Sequence, residues 1–339
     1  MQKNKLFNPQ GDDVHLSIIH GNTTWLFNLN NTRYAWAKSL YQVMVGNFWL
    51  PEKVSGLNAD KSQFPTLSKE EQRAYKGIIS FLIFLDSIQT ANLPNFADYI
   101  TAPEVKLLLS IQAYQEAIHS QSYATILESV VESAEREEIY NFWRDDKILL
   151  ERNQYIGSIY EDFRNDPTDA NFFRAMIANF LLESLYFYNG FAFFDTLADN
   201  GRMAATGRMI AYIRRDELTH VTLFANVIRE IRREFPEIYS EAVIREMMAQ
   251  AVEQEIKWSN HILTDRIPGI NTETTDQYTK WLANSRMTML GIETLYPNTT
   301  NPYKHLERLQ DPNGDKSNFF ETTVINYTQS TSMKGSWDF

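Results

Sequence analysis

The chain contains no cysteine among its 339 residues. Without thiols it can form no disulfide, no thiolate metal site and no cysteine nucleophile, so a metal ion would have to be bound by His, Asp or Glu. The N-terminus is polar as far as Asp12 and lacks the apolar core of a signal peptide, and no window offers about 18 uninterrupted apolar residues. These absences predict a cytoplasmic protein that makes no membrane contact.

Basic residues are also too few for a protein that binds nucleic acid. The formal net charge is -11, whereas phosphate binding requires clustered Lys and Arg. The short basic runs Arg214-Arg215 and Arg232-Arg233 stand among acidic residues, and we interpret them as solvated helix faces. We therefore expect no nucleic acid partner.

No stretch rich in Gly, Pro or Ser divides the middle of the chain. We predict one large domain, residues 1–310, followed by a flexible tail, residues 311–339, in which Asp, Asn, Gly, Ser and Thr replace the apolar pattern. Apolar residues make up 43% of the sequence, which is enough for a sizeable core. The large domain is therefore expected to fold around a thick interior.

The apolar residues recur every three or four positions rather than alternating, which predicts a mostly α-helical protein. Ser68 and Glu71 are spaced for a capping box, and residues 166–169 are expected to cap a later helix. The clearest periodic stretches are 75–85, 105–131, 172–197 and 203–231. The expected breaks between helices are Pro51, Pro65, Pro94, Pro103, Asp166-Pro167, Asn200-Gly201 and Ile267-Pro268-Gly269.

Six ionisable residues lie inside otherwise apolar helical stretches, where an unpaired charge would be costly. Four are carboxylates, and two of these are followed three positions later by a histidine, a separation that places both side chains on one helix face. Each has an ordinary alternative, because Glu-x-x-His arises by chance and a lone helix Glu usually faces solvent. The six residues are Asp86, Glu116, His119, Glu183, Glu217 and His220.

Together the six residues predict a site for two metal ions. Four helices supply in order a carboxylate, Glu-x-x-His, a carboxylate and Glu-x-x-His, which is the ligand set of ferritin-like di-iron and di-manganese proteins. Four carboxylates and two imidazoles suit iron or manganese better than zinc. Four negative charges also balance two divalent ions. The expected fold class is an all-α, ferritin-like bundle with additional helices.

In order and spacing these residues resemble the small subunit of class I ribonucleotide reductase, from about Asn47 to the end of the chain. Having Asp86 rather than Glu as the first ligand distinguishes the reductases from many other ferritin-like oxygenases. Four local phrases carry the resemblance further: Asn47-Phe-Trp49-Leu-Pro-Glu52, Leu85-Asp86-Ser-Ile-Gln89, Glu116-Ala-Ile-His-Ser-Gln-Ser-Tyr123 and Arg215-Asp-Glu-Leu-Thr-His220.

The resemblance implies that Tyr123 carries a stable radical. Tyr123 follows His119 by one helical turn, so its ring can lie beside the metal ions. A core tyrosine hydrogen-bonded to a ligand carboxylate would have the same spacing, and that alternative stays open. Phe187, Phe191 and Ile213 match the apolar cage that shields such a radical.

The resemblance also implies a path for the radical. Trp49, Asp216 and His119 match the family's hydrogen-bonded route from the surface to the metal, with Asp216 orienting the imidazole of His119. Tyr327 matches the tyrosine that relays the radical across the subunit interface. Phe339, the last residue, would then anchor the tail in a pocket of the large subunit.

The implied function is to activate oxygen or a reduced oxygen species, generate a tyrosyl radical and pass it to a large subunit that reduces ribonucleotides to deoxyribonucleotides. The implied cofactor is two metal ions per chain, with di-iron expected and manganese-iron or di-manganese as alternatives. The implied partners are a second copy, the large catalytic subunit and, in some subclasses, a flavodoxin-like activator. Gln112 stands where some relatives have tryptophan, and the choice between diphosphate and triphosphate substrates stays open.

Two other functions remain compatible with a ferritin-like metal site. A hydroxylase or ligand-binding oxidase would need an apolar substrate channel and would have no use for Trp49 and Tyr327. An iron-storing protein would assemble from shorter chains into a shell, which the length of this chain disfavours.

Overall fold

Residues 1–309 are the part of the chain that this computed structural model describes, and from Ala35 onwards apolar residues at helical spacing form a series of helices. Within that part no strand forms, and the β pairing consists of two isolated bridges. The prediction of an all-α protein is therefore confirmed. The helices are α1 (Ala35–Gly46), α2 (Leu57–Gln63), α3 (Lys69–Ala97), α4 (Pro103–Val130), α5 (Ser133–Asp145), α6 (Lys147–Asn165), α7 (Asp169–Leu181), α8 (Tyr188–Asp199), α9 (Ala204–Glu234), α10 (Glu241–Leu263) and α11 (Thr272–Met289).

Four helical segments form the centre of the bundle. Helix α3 packs mainly against α4, and α9 packs against α7, α8 and α4. Helix α7 runs into a π-helical turn, Leu182–Tyr186, before α8 begins. The other helices pack around these segments, with α1 against α4 and α9, and with α10 against α3, α6 and α11. All six predicted metal ligands lie on the four central segments.

The predicted caps at two helix starts are present. At the start of α3, Ser68 Oγ accepts from the Glu71 backbone N–H at 3.1 Å, and Glu71 Oε2 accepts from the Ser68 N–H at 2.8 Å. At the start of α7, Thr168 Oγ1 accepts from the Asn171 N–H at 3.2 Å. Side chains adjacent in sequence therefore decide where these two helices begin.

Pro94 does not end a helix, contrary to the prediction, because α3 continues through it to Ala97. Proline lacks the N–H that would bond to the preceding turn, so one backbone hydrogen bond is missing. Only three residues of α3 follow, and the backbone N–H of Asp98 still bonds to the Pro94 carbonyl at 3.2 Å. The local loss is therefore small compared with the packing of α3.

Arg214 is not on a solvated helix face, as its place in a basic run suggested. Its side chain is buried on the inner side of α9, where Nη1 lies 2.7 Å from Asp195 Oδ2 of α8. Burial of a guanidinium is tolerated because a carboxylate from the neighbouring helix pairs with it. Arg215, the next residue, is partly exposed, as predicted.

Within residues 1–309, α3 is the helix that is long and apolar enough by composition to cross a membrane. Of its most apolar 18-residue window, 61% is buried inside the protein. Asp86 lies on this helix and is fully buried. The apolar composition of α3 thus fits its position at the centre of the bundle.

Candidate metal centre

The six predicted ligands come together in two sets, one beside the other. In each set, one possible ligand atom of every member lies within 4.8 Å of the others. Glu116 and Glu217 belong to both sets, as carboxylates that bridge two metal ions would. The first set is Asp86, Glu116, His119 and Glu217, and the second is Glu116, Glu183, Glu217 and His220.

The donor atoms in this cluster fit two metal ions. Both Asp86 oxygens, Glu116 Oε2, Glu183 Oε2 and His119 Nδ1 are buried and have no hydrogen-bond partner among residues 1–309. Such atoms are costly to bury unless another partner compensates them. Metal ions at the two sets would provide that partner, and oxygen with imidazole donors suits iron or manganese.

The protonation of the carboxylates shows the same need for positive charge. Burial raises the pKa of Asp86 well above its usual value, and the negative charge of Glu116 adds to the effect. Burial, together with the charges of Glu183 and Glu116, raises the pKa of Glu217 to about 8. Crowded buried acids keep protons unless cations replace them. Two divalent ions would allow Asp86, Glu116 and Glu217, whose pKa values are all raised, to be ionised.

Each imidazole in the cluster has its outer nitrogen held by another side chain. His119 Nε2 lies 3.2 Å from Asp216 Oδ2, and His220 Nε2 lies 3.0 Å from Gln115 Oε1. With Nε2 engaged as a donor, Nδ1 of each ring faces the cluster, 3.1 Å from Glu217 Oε1 for His119 and 3.0 Å from Glu217 Oε2 for His220, where it would offer its lone pair to a metal ion. Neither imidazole needs to reorient in order to bind a metal ion.

Trp49 is joined to this arrangement by a hydrogen bond and by ring stacking. Its indole Nε1–H donates to Asp216 Oδ2 at 2.8 Å. Its ring stacks on Tyr212, with centroids 5.0 Å apart and planes 18° apart. Tyr212 and Asp216 are one turn apart on α9, so one helix face holds both the ring and the N–H of Trp49. A continuous contact chain therefore runs from Trp49 through Asp216 to His119.

Tyr123 is fully buried beside the first ligand set. Its hydroxyl has no hydrogen-bond partner among residues 1–309. Burial raises the pKa of Tyr123 well above its usual value, and the negative charges of Asp86 and Glu217 raise it further. Phe187 and Phe191 are also buried in the core, with ring centroids 5.8 Å apart. Tyr123 is accordingly a neutral phenol screened from solvent.

Amide side chains around Glu183 were not predicted as part of the site. Gln89 and Gln112 both donate through Nε2 to Glu183 Oε1, the latter at 2.8 Å. Gln89 also contacts Asn179 and Tyr160. The available signal was the spacing, because Gln112 is one turn before Glu116 and Gln89 is about one turn after Asp86. The sequence showed that Gln112 replaces a tryptophan of some relatives, but its contact with Glu183 was not predicted.

Two predicted residues lie outside the described part of the chain. Tyr327, the relay candidate, and Phe339, the tail anchor, both belong to residues 311–339, the predicted tail. Their roles remain predictions.

With the site's geometry established, comparison with known proteins identifies the family. The family described as "Ribonucleotide reductase, small chain" matches residues 26–302. The chain belongs to this family. The small-chain match spans most of the sequence, including all six ligands, Trp49 and Tyr123, and it confirms the resemblance drawn from the motifs.

Similar proteins agree with the small-chain assignment over nearly the full length. The ribonucleoside-diphosphate reductase subunit beta of Treponema pallidum is 40% identical, covering 98% of this chain and 97% of that protein. The corresponding subunit of Halalkalibacterium halodurans is 38% identical, with coverages of 99% and 98%. The ribonucleotide reductase R2 subunit from Clostridium botulinum superimposes with a TM-score of 0.88 at 45% identity, covering 91% of this chain and 99% of that one.

Small-chain membership confirms the ferritin-like fold and makes the protein a component of an oxidoreductase, the small subunit of a class I ribonucleotide reductase. It also implies a large-subunit partner and a homodimer. The buried carboxylate and histidine sets suit a two-metal site. The alternatives of an unrelated hydroxylase and an iron-storage protein are therefore set aside.

Proposed function

We propose that this small subunit generates a radical on Tyr123 and delivers it to the large subunit, where ribonucleotides are reduced to deoxyribonucleotides. The observation that carries the proposal is a buried tyrosine beside two ligand sets that share Glu116 and Glu217. All six ligands are assigned to the metal ions, with iron in both positions as the favoured metal. Manganese with iron, or manganese alone, are the alternatives, and the experiment below separates iron alone from manganese alone.

The metal ions, when bound, activate oxygen or a reduced oxygen species and provide the one-electron oxidant for Tyr123. The protein contributes a dry site and a proton acceptor. Because the phenol is neutral before oxidation, loss of an electron is accompanied by loss of its proton. We assign the Asp86 carboxylate as the acceptor, since among the ligand carboxylates its negative charge raises the pKa of Tyr123 most, which places it beside the phenol.

The radical leaves the metal site along the contacts that join His119, Asp216 and Trp49. Asp216 Oδ2 accepts the indole N–H of Trp49 and can hold its proton during electron transfer. From Trp49 the route continues to Tyr327 in the tail, and Phe339 anchors the tail on the large subunit. A catalytic partner is required because this chain contains no cysteine of its own to act on the nucleotide.

Further partners and location belong to the same proposal. The protein is proposed to act as a cytoplasmic homodimer. A flavodoxin-like activator would be needed if manganese fills both positions and a reduced oxygen species is the oxidant. The support is the family membership and the central position of α3, whose apolar surface is mostly inside the bundle.

The test is to load metal-free protein with ferrous iron under oxygen, and separately with manganese and a superoxide-generating system. Electron paramagnetic resonance should show a tyrosyl radical in the wild type and none in Tyr123→Phe. Tyr75→Phe is the matched control, because Tyr75 is equally buried but its hydroxyl bonds to Thr206, 2.9 Å away. Metal oxidation without a Tyr123-dependent radical would overturn the proposal.

A further inference from the structure

Glu183 presents its two carboxylate oxygens to different surroundings. Oε1 accepts hydrogen bonds from the side-chain amides of Gln89 and Gln112. Oε2 is buried, has no hydrogen-bond partner among residues 1–309, and lies 3.6 Å from His220 Nδ1 of the second ligand set. The amides therefore occupy one oxygen and leave the other facing the second metal position.

The orientation of the Gln89 amide depends on Tyr160. The Tyr160 hydroxyl donates to Gln89 Oε1 at 2.8 Å and lies 3.2 Å from Asn179 Oδ1. The Gln89 amide nitrogen in turn donates to Asn179 Oδ1 at 2.8 Å and to Glu183. Because Asn179 Oδ1 and Glu183 both accept from the Gln89 NH2 group, the Gln89 carbonyl faces Tyr160, and the phenol proton stabilises this orientation by donating to that carbonyl.

We propose that Tyr160 is a positioning residue for the second metal ion, because it fixes through Gln89 which oxygen of Glu183 is available for binding. If Gln89 were reversed, its carbonyl oxygen would face the Glu183 carboxylate, and the two acceptors would repel each other. Gln112 alone would then hold Glu183 Oε1, and the carboxylate would be less restrained against rotating or binding through both oxygens. This inference rests on the proposed two-metal site and adds a residue that touches neither metal position.

Tyr160 reaches the site from outside the ligand-bearing segments. It lies on α6, is buried, and packs edge-on against Phe96, with centroids 5.8 Å apart. Its hydrogen-bond partners are Gln89 and Asn179, and neither belongs to the two ligand sets. Any effect of its hydroxyl on metal binding must therefore pass through the amides.

The experiment is a titration of the full-length, metal-free protein with Mn(II), followed by equilibrium dialysis and by the spin coupling seen in electron paramagnetic resonance. In Tyr160→Phe, the first ion should bind as in the wild type and the second about 10-fold more weakly, because lost outer contacts typically weaken metal affinity by about that factor or more. Tyr155→Phe is the matched control, since Tyr155 is on the same helix and its hydroxyl has no hydrogen-bond partner among residues 1–309.

A second variant tests whether Tyr160 acts through Gln89. Gln89→Leu should lower the affinity for the second metal ion, and adding Tyr160→Phe should lower that affinity no further. The inference would be overturned if the two substitutions lowered the affinity for the second ion additively. It would also be overturned if Tyr160→Phe lowered the affinity for both ions equally or left both at the wild-type values. Thermal unfolding of the metal-free variants separates these outcomes from a general loss of structure.

The radical experiment on Tyr123 keeps the two proposals distinguishable. Suppose that Tyr160→Phe selectively loses affinity for the second ion while the loaded wild type shows no tyrosyl radical. The radical function would then be refuted, and the positioning role of Tyr160 would be supported. A Tyr123 radical in the wild type with unchanged metal binding in Tyr160→Phe would do the reverse.

Discussion

At the scale of single residues, Asp216 contacts two side chains of the proposed radical path through the same carboxylate oxygen. One of its oxygens, Oδ2, accepts from Trp49 Nε1 at 2.8 Å and lies 3.2 Å from His119 Nε2. Arg215 Nη2 lies 3.5 Å from the other oxygen. A single carboxylate oxygen thus orients both the indole and the imidazole, and an amide would not provide an equivalent charge for two donors.

Asp216→Asn should separate radical transfer from radical formation. We expect turnover with the large subunit to fall by about 10–100-fold, because the side chain that links Trp49 to His119 loses its negative charge. The Tyr123 radical should still form after metal loading. The measurements are deoxyribonucleotide production and the radical signal in the same preparation.

The control for Asp216→Asn is Asp162→Asn, on an exposed part of α6. If the radical yield falls in proportion to turnover, Asp216 acts on the metal site and not on transfer, and the expected separation is wrong.

At the scale of elements, the start of α9 depends on a residue distant in sequence. The residue before the helix, Met203, has a left-handed backbone with φ of 52° and provides no side-chain cap. Asp60 of α2 fills that role, accepting the backbone N–H of Thr206 at 2.7 Å and of Ala205 at 3.3 Å. A buried carboxylate at a helix N-terminus also interacts favourably with the helix dipole.

Asp60→Ala should lower the free energy of unfolding by about 1–2 kcal/mol, the usual effect of removing a cap. Asp60→Asn, which keeps a short acceptor, should lose less. Urea denaturation of the metal-free protein measures both changes. Equal stability of Asp60→Ala and the wild type would show that α9 does not need this contact.

At the scale of the whole molecule, the proposed division into domain and tail predicts separable activities. A chain ending at residue 310 retains every ligand, Tyr123 and Trp49, so it should bind metal and form the radical as the full-length chain does. It should lose binding to the large subunit and therefore turnover, because Tyr327 and Phe339 are removed.

Isothermal calorimetry and nucleotide reduction assays measure these two losses. A synthetic peptide of residues 320–339 should inhibit the intact complex by competing for the large subunit, and a peptide of the same composition in scrambled order is the control. Full turnover by the shortened chain would refute the proposed role of the tail.

Several features of this protein could be determined from the sequence alone. The helical spacing of apolar residues predicted the all-α fold and located α4 and α9 to within a few residues, whereas the stretch 75–85 covered only the middle of α3, Lys69–Ala97. The order and spacing of Asp86, Glu116, Glu183 and Glu217, with their histidines, predicted the family and picked out the six side chains that the structure brings together. These features are local, because spacing along one helix decides which side chains share a face.

Tertiary structure decided the features that depend on how helix faces meet. Arg214 is buried because Asp195 of another helix faces it, and α3 continues through Pro94 because packing outweighs one missing hydrogen bond. Tyr160 reaches Gln89 across 71 positions of sequence. Periodicity along a single helix carries no information about such partners, since the rotation and offset of one helix against the next arise only when the bundle packs.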